Sequence, residues 1–168
     1  VRYEKLDSIP VGASVYIHPR NYLCMSVKDQ NNRVPETVVD DSGYFQIDGV
    51  LSGEYMIEIN DGHRNTSVIR CEITADQKIC RLPLSTLEPS GTASGKLLDI
   101  ADTASEVRLQ ISGLDRIAVV NMKTGSFSLQ DIPSGTFLLI ATQPANGTVS
   151  VVDSVYMTSG ETTFVECK

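Results

Sequence analysis

The chain has 168 residues, 21 of them acidic and 14 basic, for a formal net charge of −7 at neutral pH. The acidity is evenly spread: residues 1–90 carry 13 acidic and 9 basic side chains, residues 91–168 carry 8 and 5. Without a basic patch the chain is a poor match for nucleic acid, and no apolar run approaches the roughly 18 residues a membrane-crossing helix needs, so no membrane insertion is expected of this segment.

Val1–Ser8 is polar apart from Tyr3 and Leu6, which predicts a short edge strand or an arm. Ile9-Pro10-Val11-Gly12 then turns the chain into an extended run in which Ala13, Val15 and Ile17 share a face. His18-Pro19-Arg20-Asn21-Tyr22 reads as a turn and Asp29–Arg33 as a polar loop. Residues of about 18–40 form an insertion relative to the second half: Tyr16 lies 27 positions before Gly43, but Val107 lies only 18 before Gly125. Binding concentrates on such elaborated loops, which makes Tyr22, with Arg20 and Asn21, the candidate binding surface.

The next stretch is used twice. Asp41-Ser42-Gly43-Tyr44-Phe45-Gln46-Ile47 with Ser52-Gly53-Glu54-Tyr55 returns, 82 residues later, as Lys123-Thr124-Gly125-Ser126-Phe127-Ser128-Leu129 with Ser134-Gly135-Thr136-Phe137. Gly43 and Gly125 each follow a polar pair, where a tight turn calls for a positive φ. The alternation after each turn puts Phe45 and Ile47, or Phe127 and Leu129, on one face of a strand. Tyr55, Ile57 and Ile59, or Phe137, Leu139 and Ala141, line the following strand. An internal repeat fixes the architecture. The expectation is an all-β chain of two tandem antiparallel β-sandwiches, residues 1–88 and 89–168, joined by a linker at 85–91.

Thr66–Thr74 and Gln77–Leu84 are expected to close the first sandwich as a hairpin with Ala75-Asp76 at its tip. In that hairpin Cys71 and Cys80 form a non-hydrogen-bonded pair, whose Cα atoms lie close enough for a disulfide. Cys24 and Cys167 remain, to pair with each other, with another chain, or not at all. In the second half, strands are expected at about 93–99, 105–111, 115–121, 125–130, 135–142, 148–157 and 161–167, with no helical periodicity anywhere.

Pro10-Val11-Gly12-Ala13-Ser14-Val15, then Gly43-Tyr44-Phe45 and Ser52-Gly53-Glu54-Tyr55, resembles the carboxypeptidase regulatory-like domain family. So does the second half, through Ser94-Gly95-Lys96-Leu97, Thr124-Gly125-Ser126-Phe127 and Ile132-Pro133-Ser134-Gly135-Thr136-Phe137. The resemblance implies transthyretin-like (prealbumin-like, Ig-like) sandwiches of about seven strands, in a bacterial protein that is secreted or on the cell surface. It also implies a non-catalytic role, because that domain is an appendage.

The residues agree with a chain that is not an enzyme. His18 and His63 are the only histidines and neither begins a His-x-x-Glu; there is no Gly-x-Ser-x-Gly elbow, and no Cys/His cluster for zinc. Transthyretin-like hydrolases end in Tyr-Arg-Gly-Ser, which this chain lacks. Asp40-Asp41-Ser42-Gly43 reads as a turn rather than a calcium loop, and neither metal nor cofactor is expected. Glu58, three residues after Tyr55, has the parity that turns it outward, away from the place of an isopeptide-promoting carboxylate. With no Trp, sugar platforms are limited to Tyr3, Tyr16, Tyr22 and Tyr156, the other aromatics being assigned to the cores.

These readings converge on an extracellular structural or interaction module (a spacer, an adhesin or a subunit of a surface assembly or filament) whose partners are proteins or further copies of itself. The alternative is a carbohydrate-binding accessory domain acting on polysaccharide. The second half has an evident opening strand at Ala93–Asp99, whereas the stretch before Pro10 is short. Strand exchange through Tyr3 and Leu6 is therefore expected, the first half accepting an edge strand or donating its own.

Overall fold

The computed structural model describes residues 1–4, 8–77, 79–98 and 106–167. Its strands are β1 (Arg2–Tyr3), β2 (Ser14–Pro19), β3 (Thr37–Val38), β4 (Gly53–Asn60), β5 (Asn65–Ile73), β6 (Thr86–Pro89), β7 (Gly91–Leu97), β8 (Arg108–Ile111), β9 (Ile117–Val119), β10 (Ser126–Ile132), β11 (Gly135–Gln143), β12 (Thr148–Met157) and β13 (Thr162–Cys167). One short helix, α1 (Val27–Asn31), sits in the insertion, where the sequence shows no helical period. Its start is set locally: the Ser26 hydroxyl accepts the Asp29 N–H as an N-cap.

Residues 91–167 pack as a sheet in the order β10-β7-β13 over a sheet in the order β12-β11-β8-β9. All seven strands expected there are present, each within a few residues of its expected place. Their alternation is the reason: Phe127 and Leu129 from one sheet meet Leu109, Ile111, Phe137 and Leu139 from the other in one apolar cluster that also holds Ala93. β7 lies between antiparallel β10 and parallel β13.

The first half is built differently. Its strands form one sheet in the order β1-β6-β5-β4-β2-β3, with a second apolar cluster of Ala13, Val15, Val39, Ile57, Ile59, Ile69 and Leu87 on one face. The expected 85–91 linker is not a linker. Residues Thr86–Pro89 are β6, paired to β5 and β1, and a single residue, Ser90, separates it from β7.

Two further expectations are corrected. Tyr44–Ile47 and, of Gln77–Leu84, the described residues Gln77 and Ile79–Leu84 are not strands, although Gln77 N–H does bond to Thr74 O to make the expected turn around Ala75-Asp76. Phe45, Ile47 and Leu82 still pack on the first cluster. Among the described residues, however, neither Phe45–Ser52 nor Ile79–Leu84 makes a backbone–backbone hydrogen bond. The physical reason is visible in the other half. Tyr44–Val50 corresponds to β10 and the stretch before Ser85 to β13, and those two are strands because β7 runs between them. Leu97 N–H bonds to Gly125 O (2.9 Å) and Leu98 N–H to Cys167 O (2.7 Å); in the first half the Val1 amino group bonds to Gly43 O (2.6 Å) and Arg2 N–H to Ser85 O (3.0 Å). Val1 thus occupies the place of Leu97, at the end of β7.

Unpaired amides open without breaking a ladder. Amide protons of Phe45–Val50 and Arg81–Leu82 should therefore exchange with solvent at least about 100-fold faster than those of β10 and β13, measured residue by residue by NMR. Equal protection would show that the two segments are paired after all.

Candidate functional site: a polar interlock between the two halves

β4 is buried on both faces, since Met56, Ile57, Glu58 and Ile59 are all enclosed. Ile57 and Ile59 face the first cluster, while Met56, with Val68 of β5, packs against the second. The expected parity of Glu58 holds, but its face is not solvent. Glu58 is 1% exposed and points at the second half of the chain. There Arg116 donates Nη2–H to Glu58 Oε1 at 2.5 Å, and Arg33 donates Nη1–H to Oε2 at 2.9 Å. Asn60 adds an amide N–H to Oε1 at 3.3 Å.

Arg116, 3% exposed, has its remaining donors satisfied: Nε and Nη2 donate to Asp131 O at 2.8 and 2.7 Å, and Nη1 to Asp115 O at 3.1 Å. The Arg33 guanidinium lies 4.0 Å from the centre of the Tyr16 ring, which places Tyr16 in the packed interior rather than on a surface. Burial works to raise the Glu58 pKa, but the two guanidiniums overcome it and hold the carboxyl below the usual range.

A second latch lies beside the first. Asp115, in the turn between β8 and β9, accepts from Tyr22 Oη–H at 2.8 Å and sits 2.7 Å from His18 Nε2. The rings of His18 and Tyr22 stack at 4.2 Å with 9° between their planes. Burial again opposes ionisation, and the contacts with His18 and Tyr22 outweigh it, so Asp115 stays below the ordinary carboxylate range. An ionised Asp115 only accepts, so the His18 Nε2 facing it carries the proton. Burial, with the bond to Asp115, raises the Tyr22 phenol well above its ordinary value.

Backbone bonds complete the clamp. Gly113 N–H bonds to Tyr22 O (2.8 Å), Ser112 Oγ–H to Arg20 O (2.9 Å), Arg108 Nη1–H to Met25 O (2.8 Å), and Ile117 N–H to Gln30 Oε1 (2.8 Å). The insertion is thus spent on gripping β8, β9 and their turn. Of its three candidate binding residues, Tyr22 is half-buried in the clamp, Arg20 pairs at the surface with Glu54, and Asn21 is exposed. Below the clamp, Gln30, Asn31, Arg33, Arg116, Gln130 and Asp131 line an open polar cleft of about 400 Å³.

Tyr3 is in β1 and donates its hydroxyl to Asp61 (3.1 Å), while Leu6 lies outside the described residues. Of the aromatics assigned to the cores, Tyr44 and Phe164 instead face solvent. All four cysteines are free, so the expected Cys71–Cys80 bridge is absent. Cys71 is held in β5 opposite Tyr55, but no ladder holds Cys80 opposite Cys71 because the return arm is not a strand. Cys24 is buried in the insertion with its thiol on Ser26 O, and Cys167 is buried in the second cluster, where desolvation pushes it up to about 11. Asp40 Oδ1 caps its own turn by accepting from the Ser42 and Tyr44 N–H groups. Among the described residues no three His, Cys, Asp or Glu side chains are grouped to hold a metal ion.

The sequence reading missed the Glu58–Arg116–Arg33 cluster. Its signal was a charge inside the apolar run Tyr55-Met56-Ile57-Glu58-Ile59 and another at the head of Arg116-Ile117-Ala118-Val119-Val120. A charge there is expensive unless paired.

No family model matches this chain, and neither the curated proteins nor the solved structures hold a match to it.

Removing one partner of a buried ion pair leaves the other uncompensated. Glu58→Ala should lower the unfolding free energy by about 3–5 kcal/mol in urea titrations, with Arg116 left buried and unpaired; a loss below about 1 kcal/mol would show the cluster is solvated. The two depressed carboxyls also fix a pH dependence. Their contribution is present above the unfolded carboxylate pKa of about 4 and is lost as pH falls through their lower folded values. The urea midpoint should therefore fall steeply below about pH 4, and less steeply in Glu58→Gln and Asp115→Asn.

Proposed function

We propose that this chain is a non-catalytic structural and interaction module of a secreted or cell-surface protein, built as a one-sheet β half and a transthyretin-like sandwich locked into one rigid unit. The observation that carries this reading is the interlock. The groups best able to do acid–base or binding chemistry, Glu58, Asp115, His18, Tyr22, Arg33 and Arg116, are engaged with one another across the two halves. Two sandwiches joined by a flexible linker would not need a 1%-exposed carboxylate at their junction. A spacer or assembly subunit, which must transmit position along its length, would. The seven strands in two sheets after residue 90 are what the resemblance to carboxypeptidase regulatory-like domains leads one to expect.

Small-angle scattering and NMR test the reading together. Both halves should share one rotational correlation time and one alignment tensor at neutral pH, and Glu58→Ala should separate them. Two tensors in the unaltered chain would contradict the rigid unit.

A second reading, a carbohydrate-binding accessory module, is favoured by the cleft, whose lining of amides and guanidiniums suits a small polyhydroxylated ligand. Retention on insoluble polysaccharide, reduced several-fold in Asn31→Ala, is the expected result under that reading. No retention on any polysaccharide would remove it.

A further inference from the structure

We propose that the cleft below the clamp binds a uronate residue of an acidic polysaccharide, its carboxylate held on the open edge of the Arg33 guanidinium and its hydroxyls on the surrounding side-chain amides. The proposal rests on the carbohydrate-binding reading and names the ligand's class. Arg33 carries it. Its Nη1 donates to Glu58 Oε2 at 2.9 Å, and the Tyr16 ring, 4.0 Å from the guanidinium carbon, covers one face. Nε and Nη2 meet no protein acceptor among the described residues, although the side chain is only 18% exposed and lines the cleft. A guanidinium fixed at one corner and on one face, with its Nε–Nη2 edge open, presents two parallel N–H donors in the spacing of a carboxylate's two oxygens.

The charges around Arg33 leave a place for one anion. Glu58 carries one negative charge and serves two guanidiniums, those of Arg33 and Arg116. Asp131, also at the cleft, accepts the Ser90 hydroxyl at 3.2 Å and lies 3.5 Å from Arg64 Nε, and Asp115 is held by His18 and Tyr22. Arg116 has no donor to offer, being 3% exposed and bonded to Glu58 and to the carbonyls of Asp115 and Asp131. The surplus positive charge therefore reaches a ligand through Arg33 alone, which suits a monoanion such as a carboxylate better than a phosphate dianion.

The rest of the lining selects a sugar over an apolar acid. Gln30, Asn31 and Gln130 bring carboxamides, and none of the described residues lining the cleft is apolar. Gln30 accepts the Ile117 N–H on Oε1, which fixes the side chain and leaves Nε2 to donate. Asn31 and Gln130 are exposed, and neither side chain has a hydrogen-bond partner among the described residues. A carboxamide both donates and accepts, as a sugar hydroxyl does, so the rim matches hydroxyls flanking a carboxylate. At about 400 Å³ the cleft has the size of a small-ligand site, and it is open, so one uronate can enter while the polymer continues outside.

The test titrates the full chain with glucuronate, glucose, acetate, glucose 6-phosphate and a hexaglutamate peptide, reading by NMR the Arg33 Nε–H and the side-chain amides of Asn31 and Gln130. The expected result is saturable shifts at these groups with glucuronate, and at least about tenfold weaker binding of every other probe. Arg33→Lys keeps a cation for Glu58 but has no second edge, and Gln130→Glu puts a carboxylate on the rim without touching the Glu58 cluster. Each should weaken glucuronate binding at least about tenfold, with Gln130→Glu melting as the unaltered chain does. Unchanged affinity in Arg33→Lys, or equal affinity for glucose, would overturn the carboxylate contact. Glucose 6-phosphate binding as tightly as glucuronate would overturn the monoanion. Acetate or hexaglutamate doing so would overturn the sugar, hexaglutamate in favour of an acidic protein partner. Silence at the cleft with every probe would overturn the site. In that event retention on a neutral insoluble polysaccharide leaves the carbohydrate-binding reading standing, whereas no retention on any polysaccharide removes both.

Discussion

A carboxylate with 1% exposure sits in the middle of β4, and the rest of the molecule is arranged so that it can. Desolvating a charge costs several kcal/mol even after relaxation, and attraction to a partner offsets this only when the remaining hydrogen-bonding sites are also filled. Glu58 meets that condition with groups drawn from three separate parts of the chain: Arg33 from the insertion, Asn60 from its own strand, and Arg116 from the start of β9. Arg116 in turn needs the carbonyls of Asp115 and Asp131. Of these contacts the Glu58–Arg116 pair crosses between the halves, and it forms only when they are docked. The ion cluster therefore couples the docking of the halves to the cost of burying a charge, and gives the junction a specific geometry in place of a greasy contact that tolerates sliding.

The two halves share a repeated sequence but solve the edge-strand problem differently. In the second half β7 satisfies β10 and β13, and small residues at Ala93 and Gly95 let three strands lie close. In the first half β1 is two residues long and reaches only the end of the corresponding gap. The same hydrophobic alternation then yields side chains in the core without a ladder to hold the backbone. Burial orients Phe45, Ile47 and Leu82, but only a partner strand would turn their backbones into a sheet.

The architecture was legible in the sequence wherever periodicity decides it. The alternation and turn signals from Ala93 to Cys167 located all seven strands of the second half, and the pair Ile57/Ile59 located β4. Alternation reports which side chains face inward and not whether a neighbouring backbone is present. For that reason Tyr44–Ile47 and Ile79–Leu84 looked like strands and are not. The expected disulfide failed by the same route, since it assumed a ladder beyond the turn at Ala75-Asp76. The junction was hidden for another reason. Parity gave Glu58 the correct face, but what covers that face is decided by contacts 58 residues apart in sequence, to Arg116, which no local pattern encodes. His18, Tyr22 and Asp115 are likewise unremarkable turn residues until the fold brings them together.

The central claim is that one cooperative unit spans both halves, and differential scanning calorimetry tests it most directly. A locked unit unfolds in a single transition with a calorimetric-to-van't Hoff enthalpy ratio of about one. Two resolved transitions, or a ratio near two, would show that the halves unfold independently and that the Glu58 cluster does not join them.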